Sequence, residues 1–452
     1  MHFRVGIVVL LFVFGVTAYG VASHSMLTQD EMWADLNHVA DLITRVHPDP
    51  FHSGTEIEFQ QLLAELKQTT IEPMERDKFF YVINQLAVFV RDGHTFVRLT
   101  DEAWHLPARF EWVSDGIVVV SAHDESGLYF GDQILEIGGK TPDNLLEALA
   151  PIVIAENTHA LKAYGGQRLA SGSILQYLGL VRDNKVDIYV KDIAGEQRLV
   201  EVNLTRQPLS PTETRSWFGW HIDGDNSLGY FYLDQCANTS EYRDALKEFF
   251  QAVKDQHVQV IAMDVRRNSG GDSRVIDEFI SYLPVRRVRS HFGEIRYSPE
   301  AQEQRGYSRD KGYRRINRIY QFLGLYTLNI PKLSDATLGF SGDVYILTSP
   351  ITFSSANWFA VIFQDNELGE VLGEPTGNAP TSYGDILRFT VPHSQFPMII
   401  SHKSWIRPDR SRDPSDALYP DIHVPTTVRD VQGYQDPQLE KLREIMQGKY
   451  QR

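Results

Sequence analysis

The chain has 452 residues, of which 42% are hydrophobic, and this length predicts two or three structural units rather than a single core. Its formal net charge of -15 is spread along the sequence and excludes a nucleic-acid partner, because binding to phosphates needs concentrated basic surface. Cys236 is the only cysteine, so neither an intramolecular disulfide nor a multi-cysteine metal site can form, and we interpret it as a buried thiol.

The first 25 residues, 1–25, have the pattern of an export signal. A short basic head precedes an apolar run, 5–19, and small residues follow. The run is shorter than the roughly 20 residues that span a bilayer, so we expect cleavage, and membrane association only through an uncleaved leader. The mature chain is therefore expected outside the cytoplasm, in the periplasm, in the cell envelope or as a secreted protein.

The next segment, 26–104, is predicted to be an N-terminal helical unit. Apolar residues recur at steps of three and four residues in two stretches, 32–43 and 59–66. The turn between them, 47–52, contains two histidines and two prolines, and we interpret it as a structural loop because proline ends the preceding helix. A third helix then leads to the phrase Asp92-Gly93-His94-Thr95.

The segment 105–207 is predicted to be a β-rich middle unit. Short β-type runs occur at 116–120, 133–137 and 186–190, with turns between them. The phrase at 131–140 resembles the strand and turn of PDZ domains, which bind an extended peptide at a sheet edge. It is equally compatible with an ordinary β-hairpin.

Between 208 and 430, strands alternate with helices, which predicts an α/β core. Apolar strands at 228–233 and 258–265 lie on either side of a helical stretch. A second buried strand, 344–348, leads to Ser354 at the start of the next helix. Because a helix N-terminus presents free amide hydrogens and a partial positive charge, this position favours an oxyanion beside Ser354.

The core is interrupted by the stretch 284–342, which is rich in arginine and tyrosine and has weak periodicity. It is either a surface insertion or a lid over the cleft, and the sequence favours neither. The last residues, 431–452, are predicted to form a terminal amphipathic helix.

Three segments that are far apart in the sequence together indicate one hydrolytic site: 92–95, 264–271 and 352–356. A serine alcohol is a poor nucleophile near neutral pH, so attack needs a base that takes its proton and donors that hold the developing oxyanion. The segments offer, respectively, a histidine, a pair of glycines and a pair of serines. The other histidines have no ligand spacing, so neither a metal nor another cofactor is expected.

With these phrases the chain resembles the C-terminal processing (tail-specific) serine peptidases and their tricorn-core relatives. The resemblance extends over most of the mature chain and is strongest in five phrases: 92–95, 264–271, 352–356, 373–377 and 419–424. It implies cleavage of peptide bonds by an α/β, crotonase/ClpP-like catalytic core. With the units above, the predicted fold class is α/β, with that core, an N-terminal helical unit and a β-rich PDZ-like middle unit.

The resemblance also implies which residues react. Ser354 corresponds to the nucleophile, with Ser355 as a nearby competitor. Tail-processing members pair this serine with a lysine, but Ala379 stands at that position here. Tricorn-like members use a histidine instead, and His94 matches its place; a neutral imidazole can accept the serine proton. Other candidate bases, without a specific partner in the sequence, are His393, His402 and Lys403.

Two further roles follow from the resemblance. A carboxylate just before the closing strand would orient the histidine, and both Asp413 and Asp416 lie there; we favour Asp416 slightly, and both are also compatible with exposed turn positions. For the oxyanion, the resemblance implies a glycine amide together with the amide of Ser355. We favour Gly271 over Gly270 as that glycine, since a residue without a β-carbon lets backbone N–H groups approach closely.

The sequence thus predicts an exported serine endopeptidase that cleaves a polypeptide substrate through an acyl-enzyme, with a Ser/His(/Asp) rather than a Ser/Lys site. Two alternatives remain. One is a peptide- or ligand-binding protein that keeps the fold without turnover, which the missing lysine makes conceivable. The other is an esterase that uses the same groups on a small acyl substrate.

Overall fold

The protein is described by a computed structural model that covers residues 26–100, 103–209, 215–224, 228–307, 312–315, 327–333 and 335–450. The predicted export signal, 1–25, lies outside these residues. Within the described part of the chain, no helix has both the length and the apolar character that crossing a membrane requires.

Three helices enclose an apolar core in the N-terminal unit. Its elements are β1 (Met26–Leu27), α1 (Gln29–Val46), α2 (Glu56–Thr69), β2 (Met74–Glu75), α3 (Arg76–Val90) and β3 (Phe96–Val97). Thr28 and Thr55 begin α1 and α2 with capping boxes, in which the glutamate three positions later returns the hydrogen bond. Helix α3 ends at Arg91, whose left-handed backbone (φ 52°) turns the chain into the segment that carries His94.

The middle unit contains a five-stranded antiparallel sheet in the order β4-β5-β6-β7-β8, as its β-type runs predict. Its elements are β4 (Ala108–Val113), β5 (Gly116–Ala122), β6 (Gln133–Ile137), α4 (Pro142–Leu149), α5 (Thr158–Arg168), α6 (Gly172–Tyr177), β7 (Lys185–Lys191) and β8 (Gln197–Asn203). The three helices were not predicted. Helix α5 contains Gly165 and Gly166, which weaken a helical pattern, but here Gly166 lets the helix approach Trp112 closely, and Gly165 lies against Leu149 and Trp112. The likeness to PDZ domains stays a prediction.

A six-stranded sheet in the order β20-β17-β16-β11-β10-β9 forms the centre of the α/β core, parallel except for β9. The elements from here to the C-terminus are β9 (Phe218–Ile222), β10 (Leu228–Leu233), α7 (Ser240–Asp255), β11 (Val260–Asp264), α8 (Arg274–Ile280), β12 (Arg287–Arg289), β13 (Phe292–Tyr297), α9 (Pro299–Arg305), β14 (Gly312–Arg315), β15 (Thr327–Asn329), β16 (Asp343–Thr348), α10 (Ser355–Asp365), β17 (Glu370–Gly373), β18 (Ser382–Thr390), β19 (Pro397–Ile406), β20 (Ile422–His423), α11 (Val428–Gln432) and α12 (Pro437–Tyr450).

Helices cover both faces of this central sheet, which is why its strands are continuous apolar runs. All residues of β11 are buried. Helices α7, α8 and α10 pack on one face, and side chains of α12, including Leu442 and Met446, pack on the other. The α/β core is therefore confirmed, α12 lies within the segment predicted to be the terminal helix, and Cys236 is buried with 2% of its surface exposed.

A second sheet, in the order β14-β13-β19-β18, joins the helical unit to the core. Strand β3 pairs with β19, with Val97 opposite Met398. The insertion 284–342 contributes β13 to this sheet, beside β19. Residues 308–311, 316–326 and 334 of the insertion lie outside the described residues, so both interpretations, a surface insertion and a lid, stay open.

Candidate active site

Ser354 stands at the junction between β16 and α10, as the strand-to-helix pattern predicts. Its backbone has φ 53° and ψ -125°, a conformation that L-residues adopt at a cost of about 1–3 kcal/mol and that is often found at functional sites. The backbone N–H of Ser354 donates to Asn378 Oδ1 at 2.9 Å. Its side chain makes no capping hydrogen bond to α10, so the hydroxyl remains directed at the pocket.

His94 meets Ser354 across 260 positions of sequence: its Nε2 lies 3.2 Å from Ser354 Oγ. The imidazole packs against Phe353, with ring centroids 4.8 Å apart. Gly93 permits this approach, because a β-carbon there would lie 2.5 Å from the Phe353 ring. The structure thus brings together the two groups that the sequence paired.

Asp92 anchors the loop that carries His94, and it is fully buried. Its Oδ1 accepts the backbone N–H of His94 at 2.9 Å, and its Oδ2 accepts the hydroxyl of Thr95 at 2.6 Å. His47 Nε2 lies 3.2 Å from the same Oδ2. The turn at 47–52 is therefore structural, as predicted, but it supports the site directly.

The nitrogen of the His94 ring that does not face Ser354, Nδ1, faces the carboxylate of Asp92. His94 Nδ1 is buried, has no hydrogen-bond partner among the described residues, and lies 3.7 Å from Asp92 Oδ1. This distance exceeds that of a hydrogen bond, so Asp92 acts on the imidazole mainly through its charge. Catalytic hydrogen bonds are often long without substrate and tighten when it binds.

Burial and neighbouring charges shift the pKa values of Asp92 and His94. Burial opposes ionisation of Asp92, but its contacts with the side chains of His47 and His94, and the charges of these side chains, hold the pKa of Asp92 well below its usual value. Burial would also lower the pKa of His94, yet the contact with Asp92 and the nearby charge of Glu156 outweigh it and raise that pKa. The site therefore holds an ionised carboxylate beside an unusually basic imidazole.

Glu156 is a site residue that the sequence analysis missed. It lies in the connection between α4 and α5 of the middle unit, where no motif surrounds it. Its Oε1 accepts the N–H of Gly93 at 3.1 Å, and its Oε2 accepts Asn378 Nδ2 at 2.7 Å and the N–H of Ala379 at 2.9 Å. Burial, together with the charge of Asp92, raises the pKa of Glu156 to about 7.

The carboxylates that the sequence favoured for orienting His94 have other partners. Asp413 Oδ2 accepts the hydroxyl of Thr381 at 2.5 Å. Asp416 is exposed, and its Oδ1 accepts the hydroxyl of Tyr419 at 3.0 Å. The carboxylates that the structure places beside His94 are instead Asp92 and Glu156.

The other candidate bases are engaged elsewhere. His402 Nε2 lies 3.1 Å from the hydroxyl of Tyr307, and Lys403 forms an ion pair with Asp385. His393 is exposed, at the end of β18. None of the contacts described for these side chains reaches Ser354, which leaves His94 as its basic partner.

Backbone donors lie beside Ser354. The N–H of Gly270 is occupied, since it donates to Asn268 Oδ1 at 2.8 Å. The bridge between Cys236 and Gly271 uses the carbonyl of Gly270 and the N–H of Asp272, which leaves the N–H of Gly271 available. Ser355 begins α10, so its N–H has no acceptor within the helix.

A side-chain hydrogen bond holds these two donors together: Ser355 Oγ donates to the carbonyl of Gly271 at 2.7 Å. Amide hydrogens that are fixed before substrate arrives can stabilise an oxyanion without a cost for reorientation. The geometry therefore favours Gly271 over Gly270 as the partner of Ser355, as the sequence analysis does.

Replacing Gly271 by alanine keeps the backbone N–H but displaces it, and is expected to lower kcat by about 10²- to 10³-fold, the usual cost when an oxyanion donor no longer reaches its target. The glycine has φ 134°, and a β-carbon there would lie 2.1 Å from the carbonyl oxygen of Cys236, so the turn must shift. The melting temperature should fall as well. Gly448→Ala is the matched control, because its β-carbon meets open space in α12. Equal activity of the two variants would contradict the assignment.

A pocket of about 240 Å³ opens beside Ser354. Trp358, Tyr383 and Trp405 give its walls aromatic surface, and the other residues that line it are mostly small or polar: His94, Gly271, Ser273, Ser354, Ser355, Ser382, Gly384 and Asp385. Trp358 is held in place by stacking on His291, with ring centroids 4.3 Å apart. The size of the pocket suits one substrate side chain.

The acidic groups around His94 also have the composition of a cation site. Potential ligand atoms of Asp92, His94 and Glu156 all lie within 4.8 Å of one another. Both carboxylates already accept hydrogen bonds from protein donors, and His94 Nε2 faces Ser354. The arrangement therefore fits a histidine held for proton transfer better than a set of ligands held for a metal.

Comparison with known proteins indicates the class to which the protein belongs. Residues 227–391 match the model of peptidase family S41. The matched segment contains Gly271, Ser354 and Ser355, whereas His94 and Glu156 come from the units that precede it. The match confirms the resemblance found in the sequence and identifies the protein as a serine-type peptidase, a hydrolase.

Solved structures share the fold over nearly the whole chain. Mature CPAF complexed with lactacystin is 15% identical with a TM-score of 0.68, over 92% of this chain and 98% of that one. A putative peptidase from Parabacteroides merdae is 12% identical with a TM-score of 0.52, over 93% and 97% of the two chains. At these identities the likeness concerns the fold, and it confirms an α/β protein with a helical N-terminal unit and β-rich units.

Proposed function

We propose that the protein is an exported serine endopeptidase that cleaves polypeptides through an acyl-enzyme, with Ser354 as nucleophile and His94 as base. The observation that carries the proposal is the distance of 3.2 Å between His94 Nε2 and Ser354 Oγ, which is within reach for proton transfer. The peptidase class follows from the family match, whereas the roles of these residues rest on their geometry.

The reaction proceeds in two balanced halves. Ser354 Oγ attacks the scissile carbonyl carbon while His94 Nε2 takes the hydroxyl proton, and the N–H groups of Gly271 and Ser355 receive the oxyanion. The C–N bond then breaks, and the imidazolium gives its proton to the leaving amine. Water then attacks the ester carbonyl carbon while His94 Nε2 takes a proton from it. The bond between the acyl carbon and Ser354 Oγ breaks, and the imidazolium returns its proton to Ser354 Oγ as the carboxylic acid leaves.

The carboxylates beside His94 lower the free energy of the imidazolium that forms in each half. Asp92 supplies a buried negative charge 3.7 Å from His94 Nδ1, and Glu156 adds a second acidic group nearby. This arrangement replaces the lysine of tail-processing relatives, whose position is occupied here by Ala379.

An extended polypeptide fits the surface next to Ser354. Strand β18 lies at the edge of its sheet, and the side chain of Gln304 pairs with the backbone N–H and carbonyl of Arg388 on that edge. The opposite end of β18, at 382–384, borders the pocket. A substrate strand that passes Ser354 would therefore run along this end, where main-chain hydrogen bonds can bind it.

The test is labelling by a fluorophosphonate, which reacts with activated serines. We expect a single adduct on Ser354, with loss of cleavage of an unstructured protein. Faster turnover of simple esters, without cleavage of the protein, would favour an esterase. Absence of labelling, with peptides still bound, would favour a non-catalytic binding protein and defeat the proposal.

Export is proposed from the leader alone. The pattern of 1–25 predicts that the leader is removed and that the mature chain is found outside the cytoplasm. N-terminal sequencing of protein recovered from the cell envelope and the medium tests this. An intact leader on all recovered protein would contradict removal.

Asp92→Asn is expected to lower kcat by up to about 10⁴-fold, the loss that the same change causes in a serine, histidine and aspartate triad. The amide keeps the shape but removes the charge that stabilises the imidazolium, so the acidic limb of the pH profile should also move to lower pH. Asp413→Asn and Asp416→Asn are the comparison variants. If either costs more activity than Asp92→Asn, the orienting role belongs to the closing segment.

A further inference from the structure

Glu156 joins the active site from a unit that contributes none of the reacting groups. It belongs to the middle unit, yet each of its carboxylate oxygens accepts a hydrogen bond from a different neighbouring unit. Oε1 accepts the N–H of Gly93, next to His94, at 3.1 Å. Oε2 accepts Asn378 Nδ2 at 2.7 Å and the N–H of Ala379 at 2.9 Å, on the loop that follows β17.

The second contact continues to the nucleophile. Asn378 Oδ1 accepts the backbone N–H of Ser354 at 2.9 Å. A continuous path of hydrogen bonds therefore runs from Gly93 through Glu156 and Asn378 to Ser354. It links the loop of the base with the residue that carries the nucleophile, and Glu156 is the residue through which this path crosses from one loop to the other.

The next residue, Asn157, clamps this part of the middle unit to the core. Its Nδ2 donates to the carbonyls of Thr376 at 3.0 Å and Asp416 at 2.7 Å. Its Oδ1 accepts the N–H of Ala160 at 2.8 Å and so caps α5. The start of a helix thereby fixes where the carboxylate of Glu156 lies.

We propose that Glu156 is a positioning residue through which the middle unit sets the distance between His94 and Ser354. The inference rests on the proposed function, because it concerns the same pair of reacting groups. Glu156 contacts neither of the reacting atoms. It fixes the position of the loop that contains Gly93 relative to the loop that contains Asn378. Catalysis then requires that the middle unit is packed against the α/β core.

The charge of Glu156 gives this role a distinctive signature. The titratable groups that face it are Asp92, His94 and Tyr164. Burial and the charge of Asp92 raise the pKa of Glu156 to about 7, and the charge of Glu156 contributes to the raised pKa of His94. Removing that charge lowers the pKa of His94, an effect that a purely structural contact would not have.

The experiment compares Glu156→Gln with Glu147→Gln, which removes the same charge from an exposed position on α4. The glutamine amide of Glu156→Gln has a single acceptor oxygen, so either the loop of Gly93 or the loop of Asn378 loses its hydrogen-bond acceptor. We expect kcat to fall about 100-fold with KM unchanged, since small misplacements of reacting groups cost this much. The acidic limb of the pH profile should move to lower pH. Glu147→Gln should match the wild type in all three quantities.

If Glu156→Gln does not fold, as judged by its melting curve, Asn157→Ala decides. It loosens the clamp without changing the charge, so kcat should fall while KM and the pH profile stay unchanged. The inference is overturned if the folded variant, Glu156→Gln or its substitute, keeps the wild-type kcat, or if KM rises in proportion to the loss. Fluorophosphonate labelling of wild-type Ser354 distinguishes failure of this inference from failure of the proposed function. If Ser354 is not labelled, the proposed function is wrong. If Ser354 is labelled and the variants behave as wild type, only the role of Glu156 is wrong.

Discussion

Replacement of Ser354 by alanine is expected to lower kcat for peptide hydrolysis by about 10⁴- to 10⁶-fold, as loss of a serine nucleophile does. The variant loses the oxygen that forms the acyl-enzyme, and nothing else in the described pocket stands 3.2 Å from His94 Nε2 in its place. Alanine keeps the β-carbon, so the left-handed backbone at φ 53° is neither relieved nor strained further. The measurement is release of peptides from an unstructured protein, with a melting curve to show that the fold is kept.

Two other serines supply the controls for this variant. Ser355→Ala keeps its backbone N–H but loses the hydrogen bond to the carbonyl of Gly271, so we expect a modest loss of activity. Ser240→Ala removes an exposed hydroxyl at the start of α7, which bonds only to its neighbour Glu241, and should behave as wild type. Full activity of Ser354→Ala, together with an inactive Ser355→Ala, would transfer the nucleophile to Ser355.

Replacement of His94 by glutamine is the second change with a very large expected effect, a loss of about 10⁴-fold or more in kcat. Glutamine can hydrogen-bond to Ser354 Oγ but cannot take its proton at neutral pH. His393→Gln is the matched control, because His393 is exposed on the surface of the core. Retention of activity by His94→Gln, with a loss in His393→Gln or His402→Gln, would show that another histidine is the base.

The wild-type pH profile tests the same group without a mutation. Catalysis needs neutral His94, whose pKa is raised, so kcat/KM should fall on acidification with a midpoint above about 6.5, the ordinary histidine value. The residual activity of His94→Gln should lack this limb. The free energy of unfolding depends on pH in the opposite direction to activity. Because folding raises the pKa of His94, its protonation stabilises the fold below about pH 6.5, and this contribution is lost as pH rises through the pKa of the folded state.

The position of Ser354 could be predicted because it depends on local pattern. The apolar run of β16 and the periodic apolar face of α10 specify a strand followed by a helix, and the serine lies between them. The glycine turn after β11 was recognisable for the same reason. The helices of the middle unit were missed, since α5 has weak periodicity and contains two glycines whose value lies in their packing against Trp112.

The environment of His94 could not be read in the same way, because it is made by contacts between distant segments. Glu156 and Asn378 are separated by 222 positions, and no local pattern marks either of them. The one available signal was an acidic residue directly after the apolar stretch 152–155 and directly before a capping asparagine. Asp92 was visible in its phrase, but its place beside His94 Nδ1 depends on how the loop folds back on itself.

The central claim, that Ser354 and His94 form one covalent catalytic site, is tested most directly by trapping the acyl-enzyme. Wild-type protein is mixed with a slowly hydrolysed peptide ester, quenched in acid within the first turnover and analysed by mass spectrometry. The account predicts an increase in mass equal to the acyl group, located on Ser354 and absent from Ser354→Ala and His94→Gln. Turnover without any adduct, or an adduct on a different residue, would contradict it.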